Sequence, residues 1–528
     1  MSSLLDVAFA SWSKHITERG FDSTFLSLLR AAGFYDIHFT HGAFEFGKDA
    51  IAKRGDPSGL ALANQFAFQL KAGDIGGTEW GQIVGQLHEL TSAYLTHPNF
   101  DKSLPRQFVL VTTGEMKGKA VLAARAFEEE VRARGLGTFV TWELPNLIEL
   151  LSGRGLMPLS PSTGLEGAVG RIAGTNTSDH DLESLLAPLV PRSRVTKAEA
   201  HRALLDNALC ANALLERGRV FQAMTAVLNS VRIAAVQSYA DEVVGQLLLR
   251  DALDLVVKTG NVSLADLLQS PSDPRKWLDW IGGFSRIVTY PMCCFRTAEF
   301  LGLRALHQRH CGDDAGFAGS VQLIQQMFDS QPGLLHPISD RHAASLAPPI
   351  LAMGLAGDAT RTERWLIETT KWVCDRYEKS EAGLAGIPAT AEDEVRTLLG
   401  YAVESVQLTP RRESLLGVAL LDLAYVVCPT RYPDVLNDVL AVGIIPAALH
   451  GGDSVPGCFV GGGDTRGLLN IKYPDAIGPG PLPHTMLQPT QRVPERLGGV
   501  AAQLALACLC RDRLFTDCYA RALRRAPA

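Results

Sequence analysis

The hydrophobic pattern of this 528-residue chain changes period once, near residue 195, and that change limits the folds open to it. Before it, strand-like runs alternate with helical ones. "YDIHFT" sets Tyr35, Ile37 and Phe39 at alternate positions, and "NQFAFQLKA" does the same with Phe66, Phe68 and Leu70. "AFEFGKDAIA" is a further short strand. "RQFVLVTTG" and "GTFVTWE" are continuous apolar runs of strand length. Between them, "FLSLLRAAG" is a helix closed by glycine, and "EWGQIVGQLHELTSAYL" repeats Trp80, Ile83, Val84, Leu87 and Leu90 at helical spacing. An Ala/Glu/Arg-rich helix follows at 119–134, and "LPNLIELLSG" closes the series. The order α-β-β-β-α-β-α-β predicts an α/β domain with a mixed central sheet flanked by helices.

After residue 195 the period is helical almost throughout, from "KAEAHRALLDNALCANALLERG" to "LGGVAAQLALACLCRDRLFTDCYARALRR". A mainly α-helical domain is therefore expected over 195–528. Its successive helices suit a helical-repeat array, although no single period aligns them. Residues 158–194 are rich in Pro, Gly, Ser and Thr and read as a linker, with one short helix in "DLESLLAPLV", which leaves 1–157 as the first domain. Residues 451–494 form a Gly/Pro-rich stretch too long for an ordinary connection: a functional loop or a poorly ordered one.

Composition excludes several classes. No apolar run approaches the roughly 18 residues that span a bilayer. The first residues lack a basic segment followed by a long apolar block, so a cytoplasmic protein without membrane contact is expected. The ten cysteines are scattered, none in a C-x-x-C pair, as suits buried thiols in a reducing compartment. His307, His310 and Cys311 in "HQRHC" could approach a metal, but packing and surface roles account for such a cluster more simply. A net charge of −6 argues against an overall basic coat for nucleic acid and leaves room for a local basic cleft. Neither a P-loop nor a G-x-S-x-G elbow is present, and "GGGDTRG" at Gly461 lacks the strand that a phosphate-binding loop would follow.

The chemistry lies in "FEFGKDAIAKRGDPSGLALANQFAFQLKAGD", residues 44–74. Asp49 precedes one strand, and Gln69 and Lys71 share a face of the next, since side chains alternate with a period of two. Hydrolysis of a phosphodiester needs a cation that neutralises charge and activates water. Hard cations take oxygen ligands: a carboxylate, a water, an amide carbonyl. A neighbouring lysine can orient the water and counter phosphate charge. Each residue alone has a simpler reading. Asp49 could be a turn acid, Gln69 a solvated strand residue, and Lys71 a charge that guards a sheet edge.

Together, "GKD" ending at Asp49 and "QLK" at Gln69 to Lys71 resemble the PD-(D/E)xK, or restriction-endonuclease-like, superfamily, and within it the Mrr-like branch, where Gln often takes the third place. "FDSTFLSLLRAAGF" resembles the family's leading helix, with Asp22 where the family usually carries Glu. "LVTTG" and "FVTWELPNLIELL" resemble its closing elements. The likeness covers residues 15–151. It implies a restriction-endonuclease-like fold and a Mg²⁺- or Mn²⁺-dependent endonuclease acting on nucleic acid, duplex DNA foremost. Asp49 and Gln69 would hold the metal, with Lys71 and Asp22 completing the catalytic set. It further implies an effector of prokaryotic restriction or anti-phage defence, with the helical domain sensing or assembling with a second copy or a partner protein. A non-cleaving nucleic-acid-binding sensor or scaffold is the alternative, supported by Asp22 and by 14 Lys and Arg against 17 Asp and Glu over residues 1–150. A helical interaction protein whose first domain is only an adaptor is the third reading. Glu45 either lines the site or faces solvent. Lys48 and Lys53 are candidate phosphate contacts, with a solvated charged face as the simpler account.

Overall fold

The computed structural model describes residues 4–40, 49–55, 63–92, 99–101, 103–152, 195–281, 286–379, 383–386, 391–399, 412–449 and 468–475, together with 171, 172, 182, 185, 186 and 189. Most of 158–194 and of 451–494, and the C-terminal helix expected from 497, lie outside them. By contact density the chain divides into two compact units, Met1–Ala173 with Lys197–Leu209, and Gly174–Thr196 with Cys210–Ala528. The division falls inside a helix.

The first unit contains α1 (Leu4–Ser13), α2 (Glu18–Ala31), β1 (Tyr35–Phe39), β2 (Ala50–Arg54), β3 (Asn64–Lys71), α3 (Gly77–Ser92), β4 (Arg106–Thr112), α4 (Lys119–Ala133), β5 (Thr138–Trp142) and α5 (Leu144–Ser152). The start of α6 (Lys197–Leu215) belongs to it as well. The five strands run in spatial order β1-β2-β3-β4-β5. β1, β2 and β3 are antiparallel neighbours, while β3, β4 and β5 are parallel. α3 and α4 supply the crossovers that parallel pairing demands.

β3 is the middle strand, and both its faces are covered. Ala67 joins Ile51, Leu87, Leu110, Phe127 and Phe139 in a core beneath α3 and α4. On the other face Phe68 packs edge-on to Phe25 of α2, with ring centroids 5.2 Å apart, and lies 5.5 Å from Trp142. Phe34 completes this aromatic layer, 4.9 Å from Phe66. α1, which the hydrophobic pattern did not announce, buries Leu4, Leu5, Ala8, Phe9 and Trp12. Arg202 of α6 ties into the same unit: it donates to Thr24 Oγ1 at 3.0 Å and to Asp206 Oδ1 at 2.9 Å, and its guanidinium lies 5.3 Å from the Trp12 ring.

The second unit is helical, as the pattern predicts. Its helices range from four residues, Ala265–Leu268, to 25, Arg286–His310. A Cβ on Gly302 would lie 2.4 Å from the backbone of Pro348 and Pro349, so glycine is what lets Arg286–His310 cross His342–Leu355 closely. Asp340, 2% exposed, accepts from Ser414 Oγ at 2.8 Å and from the Leu416 N–H at 3.1 Å, capping the helix Leu415–Val427. A three-stranded sheet, Glu413–Ser414, Ile445–Leu449 and Leu468–Asn470, stands among these helices and was not expected.

Candidate functional site

The antiparallel register pairs Ala50 with Phe68, so the next pair along sets Asp49 opposite Gln69 on one face. The Asp49 N–H donates to Phe68 O at 2.8 Å, and Thr40 N–H to Asp49 O at 3.0 Å, which fixes the backbone just ahead of β2. Asp49 Oδ2 accepts two hydrogen bonds: from Gln69 Nε2 at 2.7 Å and from the Leu70 N–H at 2.6 Å. The carboxylate is thus held by the neighbouring strand.

Gln69 is 3% exposed. Its amide nitrogen is spent on Asp49, and its Oε1 is buried with no hydrogen-bond partner among the described residues. A buried acceptor left unmet costs about 1–3 kcal/mol, and such atoms call for an explanation. This burial rules out the solvated-strand reading of Gln69. The position of β3 at the centre of the sheet likewise rules out the edge-guard reading of Lys71.

Lys71 ends β3, largely buried, and its Nζ lies 3.2 Å from Glu18 Oε1 at the start of α2. Glu18, an acid the sequence reading did not single out, is therefore a carboxylate of the leading helix that meets Lys71. Asp22 sits one turn further along the same helix face. Sequence reasoning missed Glu18, although an acid one turn before Asp22 was the available signal. Glu45 and Lys48 lie outside the described residues. Lys53 is drawn away from the cluster: its Nζ is 2.6 Å from Asp36 Oδ2, which together with His38 and Asn99 holds the Asp36 carboxyl well below the usual carboxylate range.

The turn after β3 is braced. Thr113 N–H donates to Lys71 O at 3.1 Å, Gly73 N–H donates to Thr113 Oγ1 at 2.9 Å, and Thr112 Oγ1 donates to Gly73 O. Gly114 approaches this turn so closely that a Cβ there would lie 2.5 Å from Gly73 C and Asp74 N. Asp74 accepts from Glu115 N–H at 3.0 Å and pairs with Lys117, whose hydrogen bond is the main cause of its lowered pKa. Lys71 thus extends from a fixed backbone. An open groove lined by Gly77, Thr78, Trp80, Lys117 and Lys119 lies between α3 and α4, and Asp49, Gln69 and Lys71 do not line it.

In the second unit, His307 bonds Asp254 Oδ1 at 2.8 Å, and Cys311 Sγ lies 3.9 Å from the same ring. Among the described residues, His307, His310 and Cys311 do not gather into a three-ligand metal cluster. No protein-family model, curated protein or solved structure matches the chain.

Proposed function

We propose that the first unit is a restriction-endonuclease-like domain that hydrolyses nucleic-acid phosphodiester bonds with a divalent cation, Mg²⁺ or Mn²⁺. The observation that carries this reading is the buried Gln69 amide, whose Nε2 donates to the Asp49 carboxylate and whose Oε1 has no hydrogen-bond partner among the described residues. A neutral amide oxygen and an anionic carboxylate from paired positions of neighbouring strands are the oxygen types that a hard cation takes. When bound, the cation supplies charge neutralisation at the phosphate and a more acidic water.

The remaining work belongs to the chain. Asp49 provides the negative charge that retains the cation, and the Leu70 N–H and Gln69 Nε2 keep its carboxylate oriented. Lys71 places a positive charge next to the reacting phosphate and donates to its oxygen or to the attacking water. Water adds to phosphorus as one ester P–O bond breaks, leaving a phosphomonoester and a free hydroxyl. Duplex DNA is the foremost substrate, and a role as effector in prokaryotic restriction or anti-phage defence, with the helical unit sensing or assembling, fits the resemblance of "GKD" and "QLK". The same donors would also serve a sensor that binds without cutting, and the Lys71–Glu18 pair favours that second reading.

Conversion of supercoiled plasmid to nicked or linear form separates the two. Cutting by the full chain in Mg²⁺ or Mn²⁺, abolished by EDTA and by Asp49→Ala, supports the nuclease. Binding without cutting in every divalent cation supports the sensor.

A further inference from the structure

Lys71 is the cation the proposed reaction needs at the phosphate, yet it already has an anion. Its Nζ meets Glu18 Oε1 at 3.2 Å, and among the described residues Glu18 is the one carboxylate within ion-pair distance of it. The two ends of the pair differ. The Lys71 side chain is 17% exposed and grows from the braced end of β3, whereas Glu18 is 49% exposed and stands in the first turn of α2. A carboxylate in a first helical turn is favoured by the helix dipole without any lysine, so Glu18 can release Lys71 and remain in a suitable place. Lys71 has no comparable freedom: its strand is central and its carbonyl is bonded to Thr113.

We propose that Glu18 is an internal competitor of the substrate phosphate: it occupies Lys71 in the ligand-free protein and must be displaced before a phosphodiester can be engaged. The inference rests on the nuclease reading of the same site. Glu18 then sets a threshold that a polyanion crosses more readily than an isolated phosphate, because neighbouring phosphates bound elsewhere on the protein contribute to the displacement. A half-exposed ion pair is a weak competitor, and its removal is expected to strengthen phosphodiester binding by about two- to five-fold.

The test uses the full chain and its Glu18→Gln, Lys71→Ala and double variants. The first readout is independent of nucleic acid: acetylation of individual lysines by a water-soluble active ester, followed by mass spectrometry. Lys71 in Glu18→Gln is expected to label faster than in the parent by a similar two- to five-fold, with Lys117 and Lys119 unchanged as internal controls. The second readout is affinity for a fluorescent 20-base-pair duplex in Ca²⁺, an ion chosen to permit binding without turnover. Glu18→Gln is expected to bind more tightly than the parent, and the gain is expected to vanish in the Lys71→Ala background. Unchanged Lys71 labelling, or a Glu18→Gln variant that binds no tighter while the parent binds well, overturns the competitor. A parent that binds no duplex in any divalent cation overturns the nuclease reading, and the competitor falls with it.

Discussion

Asp49→Asn is the sharpest perturbation the geometry offers, because it removes the charge and keeps an oxygen that can accept the bonds from β3. The carboxylate accepts from Gln69 Nε2 and Leu70 N–H on one oxygen, Oδ2. An asparagine can present its Oδ1 at that position and keep both bonds. Hydrogen bonds to a charged group contribute about 1.5–3 kcal/mol and neutral ones about 0.5–1.5, so about 1–1.5 kcal/mol is lost per bond. Relief of the cost of holding a half-buried charge offsets part of that loss. In metal-free buffer the variant is therefore expected to unfold within a few degrees of the parent. Mn²⁺ should separate them. A cation bound only by the folded state stabilises it by about 2.7 kcal/mol at 100 times its dissociation constant. For a unit of this size, about 2–4 °C accompanies each kcal/mol, so the parent should gain about 5–10 °C. Asp49→Asn should gain little or nothing, since Gln69 offers only a neutral oxygen. The assay is thermal unfolding followed by circular dichroism, with titration calorimetry of Mn²⁺ beside it. A variant that keeps the full Mn²⁺ shift would refute the assignment of Asp49 as the anionic ligand.

Other outcomes follow from the same geometry. Lys71→Ala should keep the Mn²⁺ shift and lose cleavage rate by about 10²–10³-fold in single-turnover measurements, as for loss of a preorganised charge. Phe68→Ala, at a fully buried ring between Phe25 and Trp142, should cost about 3–5 kcal/mol in urea unfolding. Asp74 has its folded pKa lowered by Lys117, so its contribution is present above the ordinary carboxylate pKa and is lost as pH falls through the folded value. Asp74→Asn should therefore flatten the acid limb of the parent's stability curve below about pH 4, by a small amount because both side chains are half-exposed.

Much of the first unit was legible because β3 carries two signals at once. Phe66, Phe68 and Leu70 announce a strand, and the period of two puts Gln69 and Lys71 on one face whatever covers it. What the pattern did not reveal is that this face is itself covered. Alternation separates the faces of a strand but does not count the layers above them, so the 3% exposure of Gln69 could not be read from it. Glu18 escaped for a similar reason. It shares a helix face with Asp22, and only the docking of α2 on the sheet selects which acid reaches Lys71. α1 was missed because "LLDVAFASWS" has little polar contrast to mark a stripe. The small sheet of the second unit has strands of two to five residues, too short for a period to register. Lys53 and Asp36 are 17 positions apart and meet through the pairing of β1 with β2, a contact that local sequence does not encode.

The central claim is that Asp49 and Gln69 Oε1 are two ligands of one divalent cation, and anomalous scattering from crystals of the full chain soaked in Mn²⁺ tests it most directly. The account expects a Mn²⁺ peak about 2.0–2.2 Å from an Asp49 carboxylate oxygen and from Gln69 Oε1, lost in crystals of Asp49→Asn. Mn²⁺ bound elsewhere at saturating concentration, with Gln69 Oε1 still unpartnered, would contradict it.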